Sequence, residues 1–250
     1  MKCLILAAGY ATRLYPLTEN FPKPLLDVRG KTILDWLLDD LATADAIDEY
    51  LVVTNHRFAP HFAAWAKNHR LPITVVDDGT ETNETRLGAV RDMQYAIERE
   101  KLDDDLLILA GDNILDFSLA AFLRYAREKQ TSCTMRYWEP DEQKLRRSGV
   151  SEVDRDELLL SLEEKPEQPK SHWCTPPFYF YTREDVRKIP LAIADGCGTD
   201  APGSLVAWMC RHSTLHSMQM PGNRYDIGNL ESYRAVQQHY AGITQKEETV

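Results

Sequence analysis

Apolar residues in this chain follow two spacings. Short runs rich in apolar residues, at 2–7, 50–54, 73–76 and 106–110, together with the more mixed run 131–137, predict β-strands. Between them, Ile33, Leu34, Leu37, Leu38 and Leu41 fall on one helical face, with Thr32 placed as its N-cap. Leu87, Val90, Met93 (or Gln94) and Ile97 trace a second helix, and Leu119, Phe122 and Leu123 open a third after Ser118. Strands without polar alternation need cover on both faces, which alternating helices supply.

The second half is less regular. Segments 150–153 and 158–162 predict a hairpin around Asp154-Arg155-Asp156. Strands are expected at 178–181 and 214–218, with helices around Ala207 and over 230–240. The expected fold is α/β, a Rossmann-like, mostly parallel sheet flanked by helices, with an inserted smaller β lobe. One domain is expected over 1–243, with a regular half at about 1–137, a second half at about 138–243, and a tail at 244–250. Ligands in such sheets bind at the carboxyl ends of the strands, which puts the loops after Ala7 and Ala110 on one rim.

The first of those loops carries chemistry. Ala8, Gly9 and Ala11 form a turn of small residues that lets phosphates lie against outward-pointing backbone amides. Arg13 follows, and Lys23 sits between Pro22 and Pro24, which fix the backbone around it. No Gly-Lys-Ser or Gly-Lys-Thr occurs, so this is not a Walker A loop. Positions 9, 11 and 14 are Gly, Ala and Leu, so it is not a dinucleotide fingerprint either. Asp112 directly follows the run 106–110, with Gly111 expected to give access to it. A carboxylate capping the next helix is the alternative reading of Asp112.

A net charge of −10 argues against nucleic acid or an anionic membrane as partner, yet leaves room for a local cationic pocket around a polyanion. Five cysteines, scattered and never in a Cys-x-x-Cys pair, read as reduced thiols. The first apolar run is too short for a signal peptide, and no run approaches a membrane span of about 18–20 residues. A cytoplasmic location is expected.

The turn Leu-Ala-Ala-Gly-Tyr-Ala-Thr-Arg-Leu (6–14), Pro-Leu-Thr (16–18) and Pro-Lys-Pro-Leu (22–25) together resemble the signature of the nucleotidyltransferases that activate sugar 1-phosphates, typified by glucose-1-phosphate thymidylyltransferases. The resemblance continues through Ala-Gly-Asp-Asn (110–113), Ser-Leu-Glu-Glu-Lys-Pro (161–166), Phe-Tyr-Phe-Tyr (178–181) and Tyr-Asp-Ile-Gly (225–228), in the family's order. It implies transfer of a nucleoside monophosphate from an NTP to a phosphorylated acceptor, most simply a sugar 1-phosphate, with release of pyrophosphate. The first half then becomes the nucleotide half and the second the acceptor half.

That chemistry joins two polyanions and calls for fixed cations, with Mg2+ held by carboxylates. Arg13, Lys23 and Asp112 are the candidate catalytic residues. Ala8, Gly9, Ala11, Thr12, Arg13 and Lys23 are candidates for the triphosphate. The resemblance adds Asp226 as the second metal aspartate beside Asp112. It puts the base near Asn83 and Gly88, and assigns Gly149, Glu164, Lys165 and Thr175 to the acceptor. Lys165 takes the acceptor phosphate and Glu164 its hydroxyls.

The chain departs from the family at Ala11, where glycine is usual, and in the base loop, which lacks the usual glutamine. It also has Pro176-Pro177 where relatives have Thr-Gly, which removes backbone donors from the acceptor wall. A cytidylyltransferase acting on phosphocholine, a small phosphorylated alcohol or a phosphonate is a rival reading, with Trp173 and Glu163 as an amine cage. A catalytically inactive nucleotide-binding regulatory subunit is another, opposed by the joint presence of Arg13, Lys23, Asp112, Lys165 and Asp226. A homo-oligomer is compatible with either.

Overall fold

The computed structural model describes residues 1–244, and all but Thr244 of the expected tail lies outside them. The chain forms two compact units that interleave in sequence. The first comprises Met1–Arg86, Ala110–Ala121 and the segment from Pro221 onward. The second comprises Leu87–Leu109 and Phe122–Met220. The expected halves meet near 137, whereas 87–109 and 122–137 fall in the second unit and the segment from Pro221 onward returns to the first.

In the first unit, strands Lys2–Leu6, Glu49–Thr54 and Ile73–Asp77 pair side by side in parallel. Cys3, Leu4, Ile5, Leu51, Val52 and Val53 are fully buried, as unbroken apolar strands covered on both faces require. The helix Ile33–Thr43 begins where expected. Thr32 accepts from the Asp35 amide at 3.0 Å, and Asp35 accepts from the Thr32 amide at 2.9 Å, a reciprocal cap.

A short ladder pairs Asn113–Leu115 with Arg224–Asp226 in antiparallel register. A cluster of Leu14, Leu26, Val28, Ile33, Ile114, Ile227, Val236 and Tyr240 ties this ladder, the 12–28 loop and the helix Leu230–His239 together. Two of its members, Leu14 and Ile114, sit beside candidate site residues. Burying an aliphatic side chain contributes about 1.5–3 kcal/mol, so the cluster holds these loops rigidly.

The second unit is mixed. Phe178–Tyr181 runs antiparallel to Leu106–Ala110 and to Ser132–Trp138, while Leu215–Gln219 runs parallel to Ser132–Trp138. The predicted hairpin is present as Gly149–Val153 and Leu159–Glu164, and Trp173–Cys174 extends it. The helix Gly203–Met209 packs on Leu159–Glu164. The α/β class is therefore borne out, with parallel strands in a mixed sheet flanked by helices. Among the described residues no helix is long and apolar enough to cross a membrane.

Candidate active site

The turn after Lys2–Leu6 is held from beneath by side chains. Buried Asn55 donates to the Ala8 carbonyl at 3.0 Å, and Thr18 Oγ1 donates to the Ala11 carbonyl at 2.8 Å. With these carbonyls tied down, the turn has its amides to offer a ligand. A Cβ built on Gly9 meets nothing within 4 Å, so the space above the turn is open. Ala11 has φ 47° and ψ 41°, the left-handed region in which glycine is at ease and alanine is not. Thr12 and Arg13 are exposed on the one-turn helix Thr12–Leu14, which buried Leu14 anchors.

Lys23 lies in a second such turn, Lys23–Leu25, and is 6% exposed. Its Nζ donates to Asp112 Oδ2 at 2.8 Å. The Asn113 side chain donates through Nδ2 to Asp112 Oδ1 at 2.6 Å. Partial desolvation pushes the Asp112 carboxyl up, but Lys23 and, more weakly, Arg224 outweigh it and hold it below the usual carboxylate range. Asp112 therefore remains a carboxylate, a hard oxygen donor.

Gly111 does something other than give access. Its amide donates to the Leu6 carbonyl at 2.9 Å, and a Cβ there would stand 3.2 Å from Ile5 and 3.3 Å from Leu34. Glycine here lets the backbone before Asp112 close against the end of the first strand.

Asp226 comes within reach through the short ladder, where it lies directly opposite Asn113. The Ile227 amide donates to the Asp112 carbonyl at 3.4 Å. The backbones that carry the two aspartates are thus brought side by side by segments remote in sequence. Among the described residues they have no third acidic, His or Cys companion in metal-binding array. This donor set fits Mg2+, which binds through one or two carboxylates and completes its shell with water and substrate phosphates.

The segment leading into the loop expected to meet the base is tied to the turn, since Tyr10 Oη and the His56 amide both donate to the Thr80 carbonyl at 3.1 and 2.9 Å. Asn83 is half-buried in this loop, and its carbonyl accepts from Arg86 at 2.9 Å.

In the second unit, Gly88 has φ 90° and makes its close approach to the chain itself. A Cβ there would lie 2.6 Å from the Thr199 carbonyl oxygen, which accepts from the Val90 amide. Gly149 stands opposite Glu164 in the hairpin ladder, and the Thr175 amide donates to the Gly149 carbonyl at 2.9 Å. These three acceptor candidates are therefore adjacent.

Two glycines make room for the Glu164 carboxylate. A Cβ on Gly149 would come within 3.3 Å of its Oε1, and one on Gly203 would collide with it. The Gly203 amide donates to Glu164. Burial pushes the Glu164 carboxyl above its ordinary value, more than Lys165 and that amide pull it down. Lys165 is exposed, with φ 50° and its amide bound to the Ser148 carbonyl. Such strain in a lysine is at home in a functional loop. The Thr175 hydroxyl is buried without a hydrogen-bond partner among the described residues.

The amine cage does not form. Glu163 pairs with Val150, and Trp173 with Ser151, so the two project from opposite faces of the hairpin sheet. The Arg136 guanidinium already lies 5.2 Å over the Trp173 ring.

Four supporting residues, Thr18, Asn55, Asn113 and Arg224, have no role in the sequence reading, although Thr18 and Asn113 stand inside its motifs. Asn55 directly follows a buried strand and Arg224 precedes Asp226 by two, a spacing that puts their side chains on one strand face.

The nucleotidyl transferase family pattern matches residues 2–242. The chain is 26% identical over 235 residues to the UTP–glucose-1-phosphate uridylyltransferase AglF of Haloferax volcanii, covering 92% of this chain and 93% of that protein. It is 32% identical over 189 residues to a glucose-1-phosphate thymidylyltransferase of Mycolicibacterium smegmatis, covering 72% of this chain but only 61% of that longer protein. A solved UDP-glucose pyrophosphorylase complexed with UDP-glucose superposes with a TM-score of 0.80 at 18% identity, over 96% of this chain and 97% of that one, a likeness of fold. With the family pattern spanning nearly its whole length, the chain belongs to the nucleotidyl transferase family.

Proposed function

We propose that this enzyme transfers a nucleoside monophosphate from an NTP to a sugar 1-phosphate. An acceptor phosphate oxygen bonds to the α-phosphorus, the bond from that phosphorus to the bridging oxygen breaks, and pyrophosphate leaves. The observation that supports it most is the Lys23–Asp112 pair at 2.8 Å, next to Asp226 and in the same unit as the small-residue turn.

The amides of Ala8, Gly9, Ala11 and Thr12, with Arg13, hold the triphosphate. Lys23 carries a fixed positive charge to the phosphates. Asp112 and Asp226 would hold Mg2+, which when bound neutralises charge on the phosphate oxygens. Little covalent chemistry falls to the protein, so positioning and electrostatics account for the rate.

In the second unit, Lys165 clamps the acceptor phosphate as a point charge, and Glu164 accepts from sugar hydroxyls. Gly149 and the Thr175 hydroxyl complete the acceptor set. Asn83 and Gly88 belong to the base-reading region. Five free thiols are in keeping with a cytoplasmic enzyme.

Pyrophosphate release, assayed across a panel of NTPs and phosphorylated acceptors, tests the reading. Release that requires both a sugar 1-phosphate and a divalent metal is expected. Release with phosphocholine and none with any sugar 1-phosphate would overturn it.

A further inference from the structure

Arg224 has no part in the sequence signature, yet it reaches both metal carboxylates. Its Nη1 donates to Asn113 Oδ1 at 2.7 Å, and Asn113, 1% exposed, donates through Nδ2 to Asp112 Oδ1 at 2.6 Å. The same Nη1 stands 3.9 Å from Asp226 Oδ2. Arg224 and Asp226 are two apart on one strand, and Asn113 faces Asp226 across the ladder, so all three side chains share a face.

A primary amide has one acceptor end and one donor end. With a guanidinium at the oxygen, only the NH2 end is left to face Asp112. The arginine thereby selects the amide orientation that donates to the carboxylate.

We propose that Arg224 is a positioning residue for the metal-binding carboxylates. It orients Asp112 through Asn113 and restrains Asp226 directly. The proposal rests on the assignment of Asp112 and Asp226 as the metal ligands.

Residues that orient metal ligands change metal affinity by roughly 10–100-fold when removed. An opposite expectation competes with this one. A guanidinium this close to a cation site repels the metal, so a residue acting by charge alone would give tighter binding when neutralised.

Mn2+ binding to the nucleotide-free protein, followed by electron paramagnetic resonance, separates the two. Arg224→Met and Asn113→Leu should each weaken Mn2+ binding by about 10–100-fold. The double variant should bind no more weakly than Arg224→Met alone, because that change already breaks the relay through Asn113 as well as the direct restraint on Asp226. Arg224→Lys, which keeps a donor of similar reach, should stay within about threefold of wild type.

Unchanged or tighter Mn2+ binding by Arg224→Met, or multiplying effects in the double variant, would overturn the proposal. Should Arg224→Met fail to fold, Asn113→Leu decides alone, and unchanged affinity there overturns it equally. Asp112→Asn tests the underlying assignment separately. If it binds Mn2+ as wild type does, the metal ligands are misassigned whatever Arg224 does.

Discussion

Lys23 Nζ and Asp112 Oδ2 stand 2.8 Å apart in very different surroundings, the lysine side chain 7% exposed and the aspartate 38%. The buried partner of this pair depends on the half-exposed one. Asp226, 53% exposed, faces Arg224 at the longer distance of 3.9 Å, and that guanidinium also has Asn113 to donate to.

Asp112→Asn and Asp226→Asn should therefore differ in stability while agreeing in activity. Each should lower turnover by about two to three orders of magnitude, since losing a metal carboxylate removes several kcal/mol of transition-state stabilisation. Only Asp112→Asn leaves a buried ammonium without its carboxylate, at a cost of about 1–3 kcal/mol. Steady-state kinetics and melting curves on both variants check the split. Equal melting temperatures would show that Lys23 finds another partner.

Ala11→Gly should stabilise the protein. A left-handed conformation costs a non-glycine residue roughly 1–2 kcal/mol, while glycine's freedom in the unfolded chain returns about 0.4–1 kcal/mol of that. The net is a gain of up to about 1.6 kcal/mol, at about 2–4 °C per kcal/mol for a chain of this length. A fall in melting temperature would show that the Ala11 side chain makes contacts worth more than its backbone costs.

Thr175→Val should separate stability from acceptor use. An unpaired buried hydroxyl costs about 1–3 kcal/mol, so its removal at nearly constant shape should leave stability equal or higher. If that hydroxyl serves the acceptor, the KM for the sugar phosphate rises while the KM for NTP holds. A loss of stability with both constants unchanged would mark Thr175 as structural.

Glu164 gives the acceptor step a pH dependence. Its carboxyl is raised by burial, so the folded protein binds that proton more tightly than the unfolded chain. Ionised Glu164 therefore costs stability above its folded pKa, and the cost disappears as pH falls through that value. Glu164→Gln should be more stable than wild type at neutral pH, with the difference shrinking on acidification. Protonation also removes acceptor capacity for hydroxyls, so acceptor KM should climb as pH drops through a value above the ordinary glutamate range. The variant should lack that limb. A limb that survives in Glu164→Gln belongs to another group.

The Pro176-Pro177 wall predicts poor use of glucose 1-phosphate. In the structure the Phe178 amide donates to the Pro176 carbonyl at 2.8 Å, a tight turn that engages the nearest following donor. Hydroxyls left without partners there cost about 1–3 kcal/mol each, roughly a ten- to hundredfold preference for acceptors with fewer of them. A glucose 1-phosphate specificity constant within a few-fold of the best acceptor would contradict this.

The elements most legible in the sequence were those with strong periodic signals. Thr32 and the face from Ile33 to Leu41 gave the helix Ile33–Thr43 together with its cap, and the hairpin turn at Asp154 was readable from its polar residues. The helix Ala59–Ala66 was not foreseen, because alanine, proline and histidine leave it a weak apolar stripe and tertiary contacts of Phe62 and Trp65 decide it. Two- and three-residue strands such as Arg224–Asp226 carry no period at all. Local pattern pointed to Arg13, Lys23 and Asp112, whereas Asn113 and Arg224 act by pairing across the chain, and only the fold displays that.

The ladder that unites Asn113–Leu115 with Arg224–Asp226 also sets an order of assembly during synthesis. Lys23, Asp112 and Asn113 are all made before either residue of the opposite strand. Arg224 follows Asn113 by 111 residues, and Asp226 comes after it. A chain that stops before Pro221 therefore holds Lys23 and Asp112 but only one of the two carboxylates. It also lacks the guanidinium that meets Asn113 Oδ1, however well its first parallel strands have folded.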